Sequence, residues 1–559
     1  MNYPLFFPSM RLCLQALLAT CIAHAIQIPL RPPPESAKSS KFEHKAWDLN
    51  KIPDPDSTGH LIFDTVASLL QHWPNTRYRN GHNIVPGLVP PGTLLYHGRR
   101  DNVIPSVPDW VATDPEHSLL FCREDCWHLT LVTARPLKVL YFDGSSAAKM
   151  KGGPMDSQDI VAWGEIKPDW TFSERRRIED LCEWGKMLDL DGFVRMEMDF
   201  EIMLCNFSAG VEVASFLNLT SKMAGKDRPR LDTLSVEVII AGSWHNFYPG
   251  ETRIVLDLSR LVSFYDTSLS PSLVRKRRGQ ERWQHRLEGM AEADIQYIMQ
   301  RLTNILGGSA PSPSANRIDW ATLIKVVVTR FSDRLDLVRR VLNTTDSQIE
   351  VGLGDSKLSE RAKQAQRHFS TMLGPYTLAS ATPSNASDVS WASPVYKECS
   401  VAHTSYIARQ QHGFTHSERL LLAAIEDTSG EICRVITKMW AKGVLAGLDG
   451  QLEYLPLGNV DLSSLVAEWT VSVTTLMEWL DWSLWVRCNP ACSFDELCYL
   501  PTWPFFRSSR RRPLPGPGPE IYQSDRRTAY ADEEHNNFEE DWEVPKPKCV
   551  RRLEPYTSL

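Results

Sequence analysis

The sequence predicts an α+β fold, in which a mixed α/β N-terminal domain is followed by a mostly helical region, with disordered termini. Between residues 58 and 265, short β-type runs alternate with helical patterns and are separated by Gly- and Pro-containing turns. From 280 to 487, apolar residues recur at three- and four-residue spacing, which is typical of helices. The apolar fraction of 42% is enough for a sizeable core.

The N-terminal 25 residues have the pattern of a secretory signal peptide. Arg11 is the only charged residue before position 30, and an apolar run follows it and ends in Ala23-His24-Ala25. That run is shorter than the roughly 20 apolar residues needed to span a bilayer. We therefore expect a cleaved signal, with a leader that stays attached as the alternative. The Pro-, Ser- and Lys-rich segment 26–57 then predicts a disordered leader.

The elements of the domain at 58–265 follow from apolar spacing. Helical spacing predicts helices over 62–73 and 173–188, and Asp109 to Ala112 predicts a strand that leads into a helix start at Thr113. Further runs predict strands at 93–96, 128–133, 138–142, 201–205, 234–240 and 252–256.

In the helical region at 280–487, apolar spacing predicts helices over 291–306, 320–342 and 418–448, with a linker near 376–396. The Trp-rich stretch 462–486 contains three acidic residues. Each costs about 2.5 to 3.5 kcal/mol at a membrane centre, so we expect a buried or partner-facing helix and no firm transmembrane span. A Cys-rich cap at 488–506 and a disordered tail at 507–559 complete the chain.

Cysteine and sequon positions agree with export to the secretory pathway lumen or the cell exterior. Removal of Cys13 and Cys21 with the signal leaves ten cysteines, an even number that permits full pairing. Zinc-like ligand spacing is absent, so we expect no metal at these positions. The sequons in polar stretches are better glycosylation candidates than Asn206 and Asn218, which lie in apolar surroundings. The disulfide candidates are Cys122, Cys126, Cys488, Cys492 and Cys498, and the glycosylation candidates are Asn343 and Asn385.

The charge distribution gives no indication of a nucleic-acid partner, and the partners stay unknown. The net charge is −7, and acidic and basic residues are mixed along the chain. A nucleic-acid footprint needs a basic face.

Two stretches carry titratable residues at strand ends. In the first, His97 and Gly98 end a short strand, and Asp114 and Glu116 precede a helix. A histidine in that position often bonds a backbone carbonyl, and the two acids are typical of a helix N-terminus. In the second, Met196-Glu197-Met198-Asp199 places two carboxylates on one strand face. Such a pair suits glycosidase chemistry, although a solvated strand face is the simpler interpretation.

These residues carry a resemblance to an uncharacterised family of filamentous-fungal proteins. The matching phrases are LLYHGRRDNVIPSVPDWVATDPEHSLLF, KVLYFDGSSAAKM, DGFVRMEMDFEIMLCNFSAGVEVASFLNL and CNPACSFDELCYLPTWP. The resemblance implies no assigned activity.

The Leu94-to-Gly98 segment is also remotely similar to the first motif of ADP-ribosyltransferases with a His-Tyr-Glu site. That resemblance implies that His97 binds a ribose hydroxyl of NAD, that Gly98 binds the nicotinamide amide, and that Tyr141 stacks on the ring. Glu212 would stabilise the positive charge that develops on the ribose, with Glu197 as the second choice. The Ser-Thr-Ser strand of that family is absent.

The sequence thus predicts a secretory-pathway glycoprotein of undefined activity, either a binding or a structural protein, that needs no cofactor. The alternative is an NAD-dependent ADP-ribosyltransferase-like enzyme.

Overall fold

The computed structural model describes residues 47–122, 126–150, 152–219, 231–307, 318–344, 354–383, 388–449, 461–501 and 544–553. The predicted signal peptide and residues 26–46 of the predicted leader lie outside this set. From Asp48 onward the chain forms one compact unit.

A ten-stranded mixed sheet forms the centre of this unit, and the predicted α+β class is confirmed. Its strand order is β10-β1-β5-β6-β7-β3-β2-β4-β8, and β9 pairs with β1. The pairing of β5 with β6 is parallel, and the other pairings in this sheet are antiparallel. The strands are β1 (Asn83–Val89), β2 (Leu94–Arg99), β3 (Asp109–Ala112), β4 (Cys126–Thr133), β5 (Leu137–Phe142), β6 (Gly192–Met196), β7 (Phe200–Leu204), β8 (Val211–Leu219), β9 (Val255–Leu256) and β10 (Val262–Ser263).

Helices precede, interrupt and follow the strands. The first eight are α1 (Gly59–Ala67), α2 (His72–Arg77), α3 (Pro115–Leu119), α4 (Asp156–Trp163), α5 (Glu174–Lys186), α6 (Leu231–Ser243), α7 (Pro271–Arg277) and α8 (Glu292–Gly307). The later ones are α9 (Trp320–Asn343), α10 (Gly354–Leu373), α11 (Ser393–Val401), α12 (Ser405–Ala408), α13 (His416–Leu445) and α14 (Leu462–Leu480). Within the described residues, every helix is too short or too polar to cross a membrane.

The main apolar core lies between one face of the sheet and four helices. Strand residues such as Leu140, Phe142 and Phe193 pack there against α4, α5, α7 and α8. Because α8 contributes Ile298 and Leu302 to this core, the first helix of the predicted helical region lies directly on the sheet.

The long helix α13 connects the helical region to the start of the chain. A Cβ atom added to Gly59 in α1 would lie 2.5 Å from a carboxylate oxygen of Asp427 in α13, so the two helices are in close contact. The Thr415 hydroxyl accepts from Glu418 N, and the Glu418 carboxylate accepts from Thr415 N. This capping box defines where α13 begins.

All ten cysteines after residue 25 form disulfide bonds. Two of the five bonds tie helices to their neighbours, because Cys182 in α5 pairs with Cys205 and Cys399 in α11 pairs with Cys433 in α13. The five cysteines predicted as candidates are all bonded. Their pairs are Cys122–Cys126, Cys488–Cys498 and Cys492–Cys549.

The structure differs from the predictions at both ends of the described chain. Residues 544–553 of the predicted tail are ordered, because β12 (Lys548–Arg551) pairs with β11 (Glu496–Tyr499) and Cys549 is bonded to the cap. In the predicted leader, Leu49 is buried and its carbonyl accepts from Arg434. Composition alone does not reveal such long-range contacts.

Sequence patterns also predicted three internal elements. Residues 234–240, predicted as a strand, lie in helix α6. A continuous apolar run fits a buried helix as well as a buried strand. The linker near 376–396 contains residues 377–383 without helix or strand, but α11 begins at Ser393. Helix α14 buries Trp469 and Leu476 against the other helices, as expected for the Trp-rich stretch.

Asp143 fixes the end of β5 to the start of β1. Its carboxylate accepts from the backbone N–H groups of His82 and Asn83 at 2.6 and 2.7 Å, and from the Asn83 side chain at 2.7 Å. Burial raises the pKa of Asp143 to about 7, although the hydrogen bonds from Asn83 and His82 oppose the rise.

This raised pKa predicts a pH-dependent stability. The unfolded carboxyl titrates near pH 4, so the folded state retains a proton between about pH 4 and 7 that the unfolded state has lost. Stability from this group is therefore present at low pH and lost as the pH rises through that window. Asp143→Asn mimics the protonated form. The Asn83 Oδ1 atom, which has no hydrogen-bond partner among the described residues, can accept from the new amide after a side-chain flip.

Between pH 4.5 and 7.5, we expect the unfolding free energy of the wild-type protein to fall by on the order of 1–3 kcal/mol relative to that of Asp143→Asn. Urea unfolding of both proteins across this range measures the difference. Parallel pH profiles would contradict the assignment.

Candidate functional site

The register of two antiparallel strands places two aspartates side by side. Strand β3 pairs with β7 so that Ala112 lies opposite Glu201. One step beyond, Thr113 donates its backbone N–H to the Phe200 carbonyl at 3.2 Å. The next position in this register sets Asp114 opposite Asp199. Like charges in such a pair repel each other, so this arrangement requires compensation from other groups.

The segment after α6 supplies a histidine and a third carboxylate. The His245 carbonyl accepts from the backbone N–H of His72 at 2.6 Å, and the backbone N–H of Glu251 donates to the Leu70 carbonyl at 2.7 Å. Between them, Gly250 has a φ of +73°, and a Cβ atom there would lie 2.2 Å from the Leu70 carbonyl. Glycine is therefore required for this close approach. Both anchors bring the segment against the end of β3.

Arg253 connects these groups. Its guanidinium donates from Nη2 to Asp114 Oδ2 at 2.8 Å and to Glu251 Oε2 at 2.5 Å, and from Nη1 to the Thr113 carbonyl. His245 Nε2 lies 3.3 Å from Asp114 Oδ2, 3.5 Å from Glu251 Oε2 and 4.0 Å from Asp199 Oδ1. We call these five residues, Asp114, Asp199, His245, Glu251 and Arg253, the carboxylate–histidine cluster.

The cluster shifts the protonation of its members in opposite directions. Burial and the nearby charge of Asp114 raise the pKa of Asp199 well above its usual range. Burial also tends to raise the pKa of Asp114, but hydrogen bonds with His245 and Arg253 outweigh it and hold that pKa low. For His245, burial tends to lower the pKa, and contact with Asp114 and Glu251 raises it. Opposite shifts in adjacent acids are typical of functional sites, and also occur in structural ion networks.

The cluster is accessible enough to contact a ligand. The side chains of Asp114 and Arg253 retain 21% and 29% of their exposure, whereas Asp199 and Glu251 are fully buried. One ligand atom from each of Asp114, Asp199 and His245 lies within 4.8 Å of the others. This set can share protons or hold a cation.

A second charged network lies on the other side of the β6–β7 turn. Arg195 is buried and bonds Glu201 at 2.5 Å and also Glu174. Burial raises the pKa of the neighbouring Glu197 to about 7, against the opposing charge of Lys149. Glu197, the second choice for the ribose-stabilising acid, is thus a buried neighbour of structural ion pairs.

The predicted NAD-contacting pair lies in β2, where neighbouring side chains surround both residues. His97 is buried, and its ring contacts the rings of Trp110 and Phe207, while its Nε2 lies 3.8 Å from Asp109 Oδ2. A Cβ atom on Gly98 would lie 2.2 Å from the Ser118 carbonyl of α3. The glycine therefore allows α3 to pack on the strand.

The structure does not bring His97, Tyr141 and Glu212 together. Glu212 in β8 lies opposite Val132 in β4, and Val132 lies opposite Leu94 in β2. Leu94 is three residues before His97 along β2. Since successive strand residues alternate between faces, the His97 and Glu212 side chains leave opposite faces of the sheet. Tyr141 is fully buried in β5, four strands from β2 in the sheet order. At about 4.8 Å per strand, that separation is roughly 19 Å.

The sequons also differ from expectation. Asn206 and Asn218, placed in apolar surroundings by the sequence, are exposed, as is the predicted candidate Asn343. The other candidate, Asn385, lies outside the described residues.

Sequence reasoning missed His245, Glu251 and Arg253. Apolar spacing predicts only a strand at 252–256 in this part of the chain, although His245 and the acid–base pair Glu251 and Arg253 stand there. Asp114 was interpreted as a helix cap, but its side chain makes no capping hydrogen bond.

The packing role of Gly98 gives a direct prediction. Gly98→Ala forces a methyl group against the Ser118 backbone, which cannot move away as a flexible side chain would, so we expect a loss of at least about 2 kcal/mol in unfolding free energy. Gly374→Ala is the matched control, since its Cβ atom would meet nothing within 4 Å. Chemical denaturation measures both. Equal stability of the two variants would contradict the packing role.

Comparison with known proteins gives relatives without an assigned activity. A family model described as the YPL277C N-terminal domain matches residues 123–238. The chain is 24% identical to the uncharacterized protein YOR389W of Saccharomyces cerevisiae, over 79% of this chain and 81% of that protein. It is 29% identical to the uncharacterized protein YPL277C of the same yeast, over 33% of this chain and 48% of that protein. No solved structure matches. These similarities support an uncharacterised family, and none of them carries an ADP-ribosyltransferase description.

Proposed function

We propose that this protein is an exported glycoprotein that acts in the secretory pathway lumen or outside the cell as a binding or structural protein. The observation that carries the proposal is the complete pairing of the ten cysteines after residue 25. Disulfides persist in oxidising compartments and are rare in the cytosol. The signal-like N-terminus and exposed sequons agree with this location.

Thiol labelling tests the proposal and also shows whether the predicted signal peptide is cleaved. The full chain is expressed in a eukaryotic host, and protein from the medium and the secretory organelles is treated with a maleimide mass tag. We expect no labelling before reduction and ten labels after it. A signal peptide that stays attached would add Cys13 and Cys21 and give twelve labels. Cytosolic protein with reactive thiols before reduction would contradict export.

Glycosylation is tested on the same material. We expect glycosidase treatment to lower the mass of the wild type, and Asn343→Gln to remove part of that shift. Asn304→Gln is the matched control, because Asn304 is an exposed asparagine on α8 outside any sequon. Absence of any glycosidase-sensitive mass would remove the glycoprotein part of the proposal.

An NAD-dependent ADP-ribosyltransferase-like enzyme is the second candidate. Its support is local: His97 and Gly98 lie in strand β2, as the resemblance implies, and β2 pairs with β3. Against it, the expected partners Tyr141 and Glu212 lie elsewhere on the sheet.

Nicotinamide release from NAD distinguishes the two candidates. The binding or structural proposal expects no release by the wild type. Release that falls in both His97→Ala and Glu212→Gln would favour the enzyme, and would require a different arrangement of β8, since Glu212 now lies on the other face. Binding of NAD, measured as a rise in melting temperature, is followed in parallel.

A further inference from the structure

We propose that Asp114, Asp199 and His245 form a binding site for a divalent transition-metal ion, such as Zn²⁺ or Mn²⁺. The site is independent of the proposed export, because a protein can be exported with or without a metal.

The donor atoms already converge. One oxygen from each aspartate and one imidazole nitrogen lie within 4.8 Å of one another. Ligands at about 2.1 Å from one ion are at most about 4.2 Å apart. Inward movements of less than about 1 Å therefore bring all three atoms into coordination range. Such movements are small because the β3–β7 register has already set the two carboxylates opposite each other.

Asp199 supplies the second observation that points to a cation. Its side chain is fully buried, and its Oδ1 accepts from the backbone N–H of Phe200 at 2.7 Å. Its Oδ2 has no hydrogen-bond partner within the described part of the chain. A buried carboxylate oxygen without a donor is costly and calls for a partner. The Asp114 carboxyl is close enough to share a proton with Asp199, and a cation bound between the two carboxylates and the imidazole would replace that proton.

Arg253 compensates only part of the cluster. Its guanidinium donates to Asp114 and Glu251, and its Nη2 atom lies 3.3 Å from His245 Nε2, whereas Asp199 receives no hydrogen bond from it among the described contacts. A divalent ion displaces the protons that Asp199 and His245 hold. Three carboxylates and one guanidinium then leave two negative charges, which the ion neutralises. In the metal-bound form, Arg253 and Glu251 act outside the coordination sphere, where they hold Asp114 in orientation as outer partners commonly do.

The ligand set indicates the class of metal. One imidazole and two carboxylates suit Zn²⁺, Mn²⁺ or Fe²⁺, whereas Mg²⁺ and Ca²⁺ favour oxygen ligands alone. The partial exposure of Asp114 leaves a route for the ion and a position open to water. Cysteine competition is absent from the described residues, because their ten cysteines are in disulfides.

Isothermal titration of the untagged mature chain, after removal of metals with a chelator, tests the site. We expect one Zn²⁺ or Mn²⁺ per chain and little binding of Mg²⁺. Asp199→Asn keeps the side-chain shape and removes the repulsion between the two aspartates, so it should fold, and His245→Gln removes the imidazole. Each substitution should lower the Zn²⁺ affinity by at least about 100-fold, since it deletes a ligand and loss of an outer partner alone costs 10- to 100-fold.

The matched control is His416→Gln. His416 Nε2 bonds Asp266 at 2.5 Å, so it is also a carboxylate-bound histidine, but it lies at the start of α13 and neither residue belongs to the cluster. This variant should bind Zn²⁺ like the wild type, and thermal unfolding of metal-free samples checks that all variants fold. Absence of saturable one-to-one binding would overturn the proposal. So would unchanged affinity in Asp199→Asn, or an equal loss in His416→Gln.

Discussion

The carboxylate–histidine cluster at the end of β3 depends on the hydrogen bonds of the Arg253 guanidinium. The β3–β7 register forces Asp114 and Asp199 together, and the Leu70 and His72 contacts bring Glu251 and His245 to the same place. Without a cation, three carboxylates would then repel one another in a partly buried setting. Arg253 bonds Asp114, Glu251 and the Thr113 carbonyl, so one side chain joins the end of β3 to the segment that follows α6.

Disulfide bonds act as the complementary constraint in the rest of the molecule. The Cys182–Cys205 bond joins α5 to the end of β7, and Cys399–Cys433 joins two helices of the helical region. At the C-terminus, Cys492–Cys549 returns the end of the chain to the Cys-rich cap. By restricting the unfolded chain, such bonds stabilise segments that have few apolar residues of their own. Both the sheet and the small two-stranded cap thus keep their positions in an oxidising environment.

Local sequence patterns predicted the class of fold and most elements, because apolar spacing directly records which face of a helix or strand is buried. They failed at 234–240, where an uninterrupted apolar run does not distinguish helix from strand. For the carboxylate–histidine cluster, the sequence pointed to some of the residues but not to their meeting in space. Asp114 and Asp199 stand next to predicted strands, but which strands become neighbours depends on the whole sheet. His245, Glu251 and Arg253 reach the cluster through contacts with Leu70 and His72, about 175 positions earlier in the chain.

A double-mutant cycle between Asp114 and Arg253 tests most directly whether buried charge compensation holds this site. Unfolding free energies of Asp114→Asn, Arg253→Met and the double variant are compared with the same cycle for Asp191 and Arg135, a doubly hydrogen-bonded pair at the surface. We predict a coupling of at least about 1.5 kcal/mol for the cluster pair and about 0.5 kcal/mol for the surface pair. Additive effects at Asp114 and Arg253 would contradict this account.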